Sequence, residues 1–286
     1  MKYRKLGPYQ ASAISYGDMP LAIEGRPDRA TAIGVIHDAL DAGVTHIDTA
    51  WAYYPSGEVP QYGEKLAAEA LHSWHGDQSK VTIATKVGHF RNFTDGKPTW
   101  GIDDDPEHLK ARAHESADAL GVDTIDLLYS HRPSPDVPYE KVIGALADLV
   151  DEEVAATVGI SNADPEQIRL AHRILGEKLV AVQNQFSPGF TSSEPEIEVT
   201  GELGLAFVAW SPLGGYRAAL DQERFEPFQK VADARGISRA QVILAWELSK
   251  GPHVIPIPGS HRSATILDSL KAADLELTAD ELAALG

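Results

Sequence analysis

The chain repeats one pattern along its length: a short apolar run, a polar loop, and an amphipathic segment that opens with a capping signal. The apolar runs predict strands at residues 13–16, 45–48, 81–86, 125–129, 156–160, 180–183, 205–210 and 254–256. Several runs are apolar on both faces, which is typical of buried parallel strands. Eight strands alternating with helices predict a fold of the α/β class, a (β/α)8 or TIM barrel.

The amphipathic segments carry helix start signals. Asp164 offers an N-cap, Pro165 suits the first helical position, and Gln167 stands where a capping box requires it. The same N-cap and proline pair is predicted at Asp105-Pro106, and further capping boxes at Ser238 with Gln241 and at Thr278 with Glu281. These signals place helices between the predicted strands and extra helices at the C-terminal end.

A predicted N-terminal hairpin, the lack of a dinucleotide-binding loop and the length of the chain all favour a single barrel. Residues 6–10 predict the turn of an N-terminal β-hairpin. The main alternative is a doubly wound open sheet, but the G-x-G-x-x-G loop usual after its first strand is absent. A barrel needs about 250 residues, and the chain has 286. We therefore expect residues 1–286 to form one barrel domain.

Composition excludes several classes of function. The formal net charge of −17 disfavours nucleic acid and anionic membranes as partners. The absence of cysteine excludes disulfides and thiolate chemistry. No signal peptide and no apolar run of about 18 residues is evident, so the expected location is cytoplasmic. His72 and His75 form an H-x-x-H pair, but without a third ligand we expect no metal site.

Polar side chains stand where the predicted strands end. Asp48 ends the second strand, Lys86 the third, and His131 follows the fourth. Barrel enzymes carry their active sites at this rim. Lys86 ends a mostly apolar strand, so its ammonium needs a partner, and Asp48 on the neighbouring strand could supply it.

Six segments together resemble the aldo-keto reductase superfamily. They occur in family order over nearly the whole chain: Asp48-Thr49-Ala50-Trp51-Ala52-Tyr53, Thr85-Lys86, His131-Arg132-Pro133, Gly159-Ile160-Ser161-Asn162, Val182-Gln183-Asn184-Gln185-Phe186-Ser187 and Ile255-Pro256-Ile257-Pro258-Gly259-Ser260. The resemblance implies reversible hydride transfer between a nicotinamide cofactor and an aldehyde or ketone.

The resemblance also implies a catalytic tetrad of Asp48, Tyr53, Lys86 and His131. A free tyrosine has a pKa of about 10, and a nearby ammonium makes the phenol more acidic. Lys86 would have this effect on Tyr53, Asp48 would hold Lys86, and His131 would orient the carbonyl oxygen. Tyr54 adjoins Tyr53 and is the alternative acid, although the family spacing favours Tyr53.

The expected cofactor is NADPH, with NADH possible. By resemblance, Ser161, Asn162 and Gln183 would bind the carboxamide, Trp210 would stack on the nicotinamide, and Ser211 and Leu213 would lie along the pyrophosphate. The adenosine end is expected at Gly259, Ser260, His261 and Arg262, before a helix whose N-terminus attracts phosphate. Arg262 would recognise the 2′-phosphate. Asp268-Ser269 replaces the Glu-Asn of many relatives, which weakens the expected adenine contact.

Aromatic residues on the predicted loops suit a small carbonyl or alcohol substrate. Trp51, Tyr54, Phe90 and Trp100 are predicted to bind it, and His89 and Phe93 are further wall candidates. The short C-terminal segment predicts an open site with broad specificity, in a monomer or weak homo-oligomer.

Two other functions remain open. Lys86 could form a Schiff base, as in aldolases. The chain could also be a regulatory subunit that binds NADP(H) with little turnover, as some family members do.

Overall fold

The computed structural model describes residues 1–95, 97–215 and 222–286. The strands are β1 (Tyr3–Leu6), β2 (Tyr9–Ser12), β3 (Tyr16–Gly17), β4 (His46–Asp48), β5 (Thr82–Val87), β6 (His89–Thr94), β7 (Lys97–Ile102), β8 (Ile125–Ser130), β9 (Ala155–Ser161), β10 (Leu179–Gln185), β11 (Ala206–Trp210) and β12 (Val254–Pro256). The helices are α1 (Met19–Ala22), α2 (Arg29–Asp41), α3 (Tyr62–Ser73), α4 (Pro106–Leu120), α5 (Tyr139–Asp151), α6 (Pro165–Leu175), α7 (Glu194–Leu203), α8 (Gln222–Arg235), α9 (Arg239–Ser249), α10 (Ser263–Leu270) and α11 (Ala279–Leu285).

Eight parallel strands form the central sheet in the order β3, β4, β5, β8, β9, β10, β11, β12. The sheet closes on itself through backbone hydrogen bonds between its edges. Ser15 donates to the Pro256 carbonyl at 3.0 Å, and Gly17 donates to the Pro258 carbonyl at 3.2 Å. The predicted (β/α)8 barrel is confirmed.

The predicted N-terminal hairpin is confirmed as β1 and β2, which pair antiparallel. The predicted strand at 13–16 is wrong in its position, because the first barrel strand is Tyr16–Gly17. Residues 13–15 instead form the bend that leads out of the hairpin, where the Ser15 hydroxyl donates to the Ser12 carbonyl. The other predicted strands overlap β4, β5 and β8 to β12.

The capping signals start helices as predicted, with one correction. The Asp164 and Thr278 boxes are complete, and Asp105 caps α4. Ser238 accepts from the Gln241 backbone, but the Gln241 side chain donates to Asp268 at 2.6 Å instead of returning to the cap. The predicted Ser238 capping box is therefore only half formed.

An additional hairpin lies at the rim beyond β5. β6 and β7 pair antiparallel, so that Arg91 lies opposite Trp100 and Phe90 opposite Gly101. Arg91 secures the hairpin, because it donates to the Tyr54 carbonyl at 2.6 Å and to Glu24 at 2.7 Å. Of the helices outside the regular alternation, α11 follows α10 at the C-terminal end, and a second helix, α9, separates α8 from β12. Within the described ranges, no helix is long and apolar enough to cross a membrane.

Candidate active site

A buried ion pair lies at the rim where β4 and β5 end. The side chains of Lys86 and Asp48 are 1% and 2% exposed. The Lys86 ammonium donates to Asp48 Oδ1 at 2.5 Å and to the Thr49 carbonyl at 2.7 Å, while Gln183 donates to Asp48 Oδ2 at 2.7 Å. Burial alone would lower the pKa of Lys86, but Asp48 and Tyr53 raise it above its usual value. The ammonium is therefore held charged where water is scarce.

The phenol of Tyr53 lies against this ion pair. The Lys86 nitrogen is 5.2 Å from the Tyr53 ring centroid. Burial raises the pKa of Tyr53 to about 12, and the charge of Lys86 lowers it without cancelling the effect of burial. The phenol thus keeps its proton throughout the neutral range, and Lys86 offsets part of the cost of forming a phenolate there.

His131 is the third ring at this point of the rim. Its centroid lies 6.0 Å from that of Tyr53, and its backbone is held by bonds to the Val87 carbonyl and from the Asn162 amide. Burial lowers the pKa of His131 well below its usual value, and the nearby charges of Lys86 and Arg132 lower it further. The ring is therefore neutral at physiological pH and can donate one hydrogen bond to a carbonyl oxygen.

The polar residues at the ends of β9 and β10 are linked to the same site. Ser161 donates to the Gln183 carbonyl at 2.6 Å, and Asn162 donates to Ser161 at 3.0 Å. Asn162 has the uncommon φ of 59°. Left-handed backbone at residues other than glycine is found most often at active and binding sites. Because Gln183 bonds to Asp48 and Asn162 to the His131 carbonyl, these amides share one network with the tetrad.

Trp210 and its neighbours continue the rim at the end of β11. The indole nitrogen of Trp210 is buried and has no hydrogen-bond partner among the described residues. Ser211 has a φ of 52°, and Leu213 is half-buried against the core. Trp210 lies at the end of the strand next to β10, and its unpartnered indole could contact a bound aromatic ring.

The segment between β12 and α10 makes a close turn before the N-terminus of α10. Gly259 packs against the Gly17 carbonyl so closely that a Cβ would lie 2.5 Å away. Ser260 accepts from the Arg262 backbone at 3.0 Å. His261 and Arg262 are exposed, and within the described chain the Arg262 side chain has no ion pair. A free guanidinium at a helix N-terminus suits a phosphate.

Asp268 and Ser269 stand where many relatives are expected to carry Glu-Asn. Asp268 accepts a hydrogen bond from Gln241 at 2.6 Å, and Ser269 is buried. Neither side chain carries an amide, and neither is free: Asp268 is hydrogen-bonded and Ser269 is buried.

The aromatic candidates divide into two groups. Trp100 faces the tetrad, with its ring 6.5 Å from Tyr53 and 5.6 Å from His89. Trp51 and Tyr54 do not: the Trp51 indole donates to Glu115 on α4, and the Tyr54 hydroxyl donates to the Arg91 carbonyl. The prediction that Trp51 and Tyr54 line the substrate pocket is therefore wrong, because these bonds hold both side chains in the packing beneath the rim.

Phe90 also lies away from the tetrad. Alternate residues of a strand face opposite sides, so Phe90 points away from His89 and lies beside Gly101 and Arg112. Phe93 contacts Tyr54 and Arg91, farther along the hairpin. His89 does belong to the site, since its ring lies 4.3 Å from that of His131. Hairpin pairing, which the sequence pattern did not reveal, decides these orientations.

Asp18 is a site residue that was not predicted. It follows β3, is fully buried, and neither carboxyl oxygen has a geometrically sound partner among the described residues. Burial raises the pKa of Asp18 to about 8, although Thr49 and Lys86 oppose this. Asp18 directly follows the first barrel strand, but the sequence pattern predicts that this strand ends at residue 16, so Asp18 was not expected at the rim.

No cluster of three or more metal-ligating side chains occurs in the described part of the chain. His72 lies in the last turn of α3, and His75 follows the helix.

Comparison with known proteins agrees with this geometry. The family model described as "Aldo/keto reductase family" matches residues 13–286. The aldo-keto reductase str7 of Strobilurus tenacellus is 29% identical over 99% of this chain and 90% of its own length. A closed (β/α)8 barrel with these polar side chains at the ends of its strands is typical of a barrel oxidoreductase. The chain belongs to the aldo/keto reductase family, whose members act on carbonyl and CH–OH groups.

Solved structures show the same fold. The thermostable aldo-keto reductase Tm1743, determined with the inhibitor epalrestat, has a TM-score of 0.82 at 26% identity, covering 100% of this chain and 98% of its own. An aldo/keto reductase from Klebsiella pneumoniae, determined with NADP and acetate, has a TM-score of 0.82 at 24% identity, covering 99% of this chain and 94% of its own.

Proposed function

We propose that the chain is an NADPH-dependent aldo-keto reductase that uses Tyr53 as the general acid in carbonyl reduction and as the base in the reverse direction. One observation carries the proposal: the buried Lys86–Asp48 pair lies directly against the Tyr53 phenol, with the neutral ring of His131 on the same rim. Such an arrangement favours proton transfer to an oxygen held between Tyr53 and His131.

Each of the four residues has a separate role in the reaction. His131 and Tyr53 hold the carbonyl oxygen, and Tyr53 gives it a proton as negative charge develops there. Lys86 stabilises the phenolate that remains, and Asp48 keeps Lys86 charged and in place. When bound, the dinucleotide supplies the hydride. Because these side chains are buried, their charges interact more strongly than they would in solution.

The same contacts argue against a Schiff base on Lys86. An amine must lose its proton before it attacks a carbonyl. The Lys86 ammonium donates to both Asp48 and the Thr49 carbonyl, and its pKa is raised. It is therefore suited to charge stabilisation rather than to nucleophilic attack.

The residues present fit a nicotinamide dinucleotide. Asn162, Ser161 and Gln183 would hold the carboxamide, with Trp210 against the ring and Ser211 and Leu213 along the pyrophosphate. Ser260, His261 and Arg262 would meet the adenosine phosphate, after the close turn at Gly259. The unpaired Arg262 guanidinium supports NADPH over NADH. The cofactor's binding in the related Klebsiella protein also supports an NADP(H) site.

The test is NADPH oxidation with a panel of aldehydes and ketones, comparing the wild type with Tyr53→Phe. We expect kcat of the variant to fall by about 10²- to 10⁴-fold, because it lacks the proton donor. Tyr3→Phe is the matched control, since Tyr3 is half exposed on β1, away from the rim. It should behave like the wild type.

Three other outcomes would contradict parts of the proposal. Near-full activity of Tyr53→Phe would mean that another group is the acid. NADPH binding by calorimetry with no turnover of any carbonyl compound would favour the regulatory subunit. Trapping of a carbonyl substrate on Lys86 by borohydride would favour the Schiff base.

A further inference from the structure

A buried hydrogen bond lies behind the active site, on the side of the barrel wall that faces the helices. Glu64 in the first turn of α3 and Thr85 on β5 are both 0% exposed, and the Thr85 hydroxyl donates to Glu64 Oε1. Alternate residues of a strand face opposite sides, so Thr85 faces α3 while its neighbour Lys86 faces the site. Neither Glu64 nor Thr85 touches the reacting atoms in the proposed mechanism.

The surroundings of this hydrogen bond are apolar. Ile83 and Val87 flank Thr85 on the same face of β5, and Leu66 of α3 is buried in the same core. Removing a carboxyl group from water is unfavourable, and burial raises the pKa of Glu64 to about 7. Apolar side chains could fill this interface without that cost. Packing alone therefore does not account for a carboxyl group at this position.

The start of α3 is not stabilised by a local cap. Gln61 stands at the N-cap with a left-handed φ of 67°, and its side chain donates to Glu115 at 3.0 Å instead of capping the helix. Such a backbone persists only where tertiary contacts hold it. The bond from Thr85 to Glu64 is one of these contacts, and it is the only side-chain hydrogen bond between α3 and β5 in the described chain. Because a hydrogen bond is directional, it fixes the position of the turn more narrowly than apolar packing does.

The first turn of α3 is also in direct contact with the backbone that carries Tyr53. Gly63, the neighbour of Glu64, donates to the Tyr53 carbonyl at 2.9 Å. The approach is close, because a Cβ on Gly63 would lie 3.2 Å from the Tyr53 Cβ and 2.8 Å from Thr49 Oγ1. The Thr49 carbonyl in turn accepts from the Lys86 ammonium. A shift of this turn would therefore move the backbone on which both Tyr53 and the Lys86 ammonium depend.

We infer that Glu64 is a positioning residue for the proposed reaction. Through the bond from Thr85 it fixes the first turn of α3 against β5, and it thereby sets the separation of the Tyr53 phenol from the Lys86 ammonium. That separation decides how strongly the ammonium stabilises a phenolate, since the interaction of two charges weakens with distance. A displacement of about 1 Å at such a site can lower the rate by about 10²-fold. The inference rests on the proposed function, since it names a further residue that supports the same reaction.

The test is the double variant Glu64→Leu with Thr85→Val, assayed by NADPH oxidation with the best carbonyl substrate of the wild type. It replaces both partners by apolar groups of similar size, which can be nearly neutral for stability. Its midpoint of urea unfolding should therefore stay close to that of the wild type. Its kcat should nevertheless fall by about 10- to 100-fold. Most of the loss should be in kcat rather than in KM, and the Kd for NADPH by calorimetry should not change.

The single variants test whether the two residues act as one unit. Glu64→Leu and Thr85→Val should each lower kcat by about as much as the double variant, because either change breaks the same bond. Residues that act independently would give losses that multiply. The conservative variants Glu64→Gln and Thr85→Ser keep the acceptor and the donor, so they should keep most of the kcat.

Thr157→Val is the matched control. Thr157 is a buried threonine near the start of β9, at the opposite end of that strand from Ser161, and its hydroxyl donates to the Asp126 carbonyl at 2.6 Å. The change removes the same kind of hydrogen bond from the barrel wall at a distance from the rim. Its kcat should equal that of the wild type.

The inference is overturned if the folded double variant keeps the kcat of the wild type, or if the losses of the single variants multiply. It is also overturned if Glu64→Gln and Thr85→Ser lose as much kcat as the apolar variants, or if Kd for NADPH rises in step with the loss. If the double variant does not fold, Thr85→Val against Thr85→Ser decides by the same criteria. A wild type that oxidises NADPH with no carbonyl compound would instead count against the proposed function.

Discussion

Glu247 provides a sharp test of the burial seen in this structure. It lies on α9, is 0% exposed, and neither carboxyl oxygen has a hydrogen-bond partner in the described residues. Burial raises its pKa well above the usual value. In the folded protein Glu247 is therefore a neutral acid at pH values where the unfolded chain has released the proton. The perturbation is Glu247→Gln, which keeps the shape and removes the titration.

The sign and size of the effect follow from proton linkage. Above the unfolded pKa of about 4.3, the folded state holds one more proton than the unfolded state, so stability falls as pH rises. The slope is about 1.4 kcal/mol per pH unit until the folded pKa is reached. Relative to the wild type, Glu247→Gln should thus become progressively more stable between pH of about 5 and about 7, by at most about 3 kcal/mol.

The assay is equilibrium unfolding in urea at these two pH values. Asp18, Glu64 and Asp104 also have raised pKa values, but they titrate alike in both proteins and cancel in the difference. Glu198→Gln makes the same chemical change at an exposed position of α7. Its effect should stay within about 0.5 kcal/mol at both pH values. A stability difference between Glu247→Gln and the wild type that is the same at both pH values would refute the reasoning.

Two further predictions concern the site. Asp18 titrates at a pH of about 8, and its ionisation makes Tyr53 a weaker acid. The kcat for reduction should therefore fall as pH rises through about 8, and Asp18→Asn should move that fall to higher pH; a profile identical to that of the wild type would contradict this. Arg262→Leu should raise KM for NADPH by about 10- to 100-fold and that for NADH much less, as initial rates would show. Equal changes for both cofactors would mean that Arg262 does not contact the 2′-phosphate.

The barrel was predictable because its signals are local. The strands buried on both faces and the caps at Asp105, Asp164 and Thr278 are visible in short windows of sequence. The ends of parallel strands meet at one rim, so the sequence alone predicts that Asp48 and Lys86 lie near each other. The structure brings them to 2.5 Å.

The roles of neighbouring residues depended on packing that is not local. Trp51 and Tyr54 were plausible wall residues, yet bonds to Glu115 and to the Arg91 carbonyl turn them into the packing beneath the rim. His89 and Trp100 reach the site because two strands of a hairpin pair in one register and not another.

For Asp18 and Tyr53 as well, the residue type is fixed by the sequence, whereas the acidity is decided by packing. The sequence determines which residue types stand at the ends of the strands. Whether Asp18 is protonated, and how acidic Tyr53 is, depends on how much water surrounds them and which charges lie near. Local periodicity was enough to place the strands of the barrel, whereas desolvation and side-chain orientation arise only when distant segments pack together.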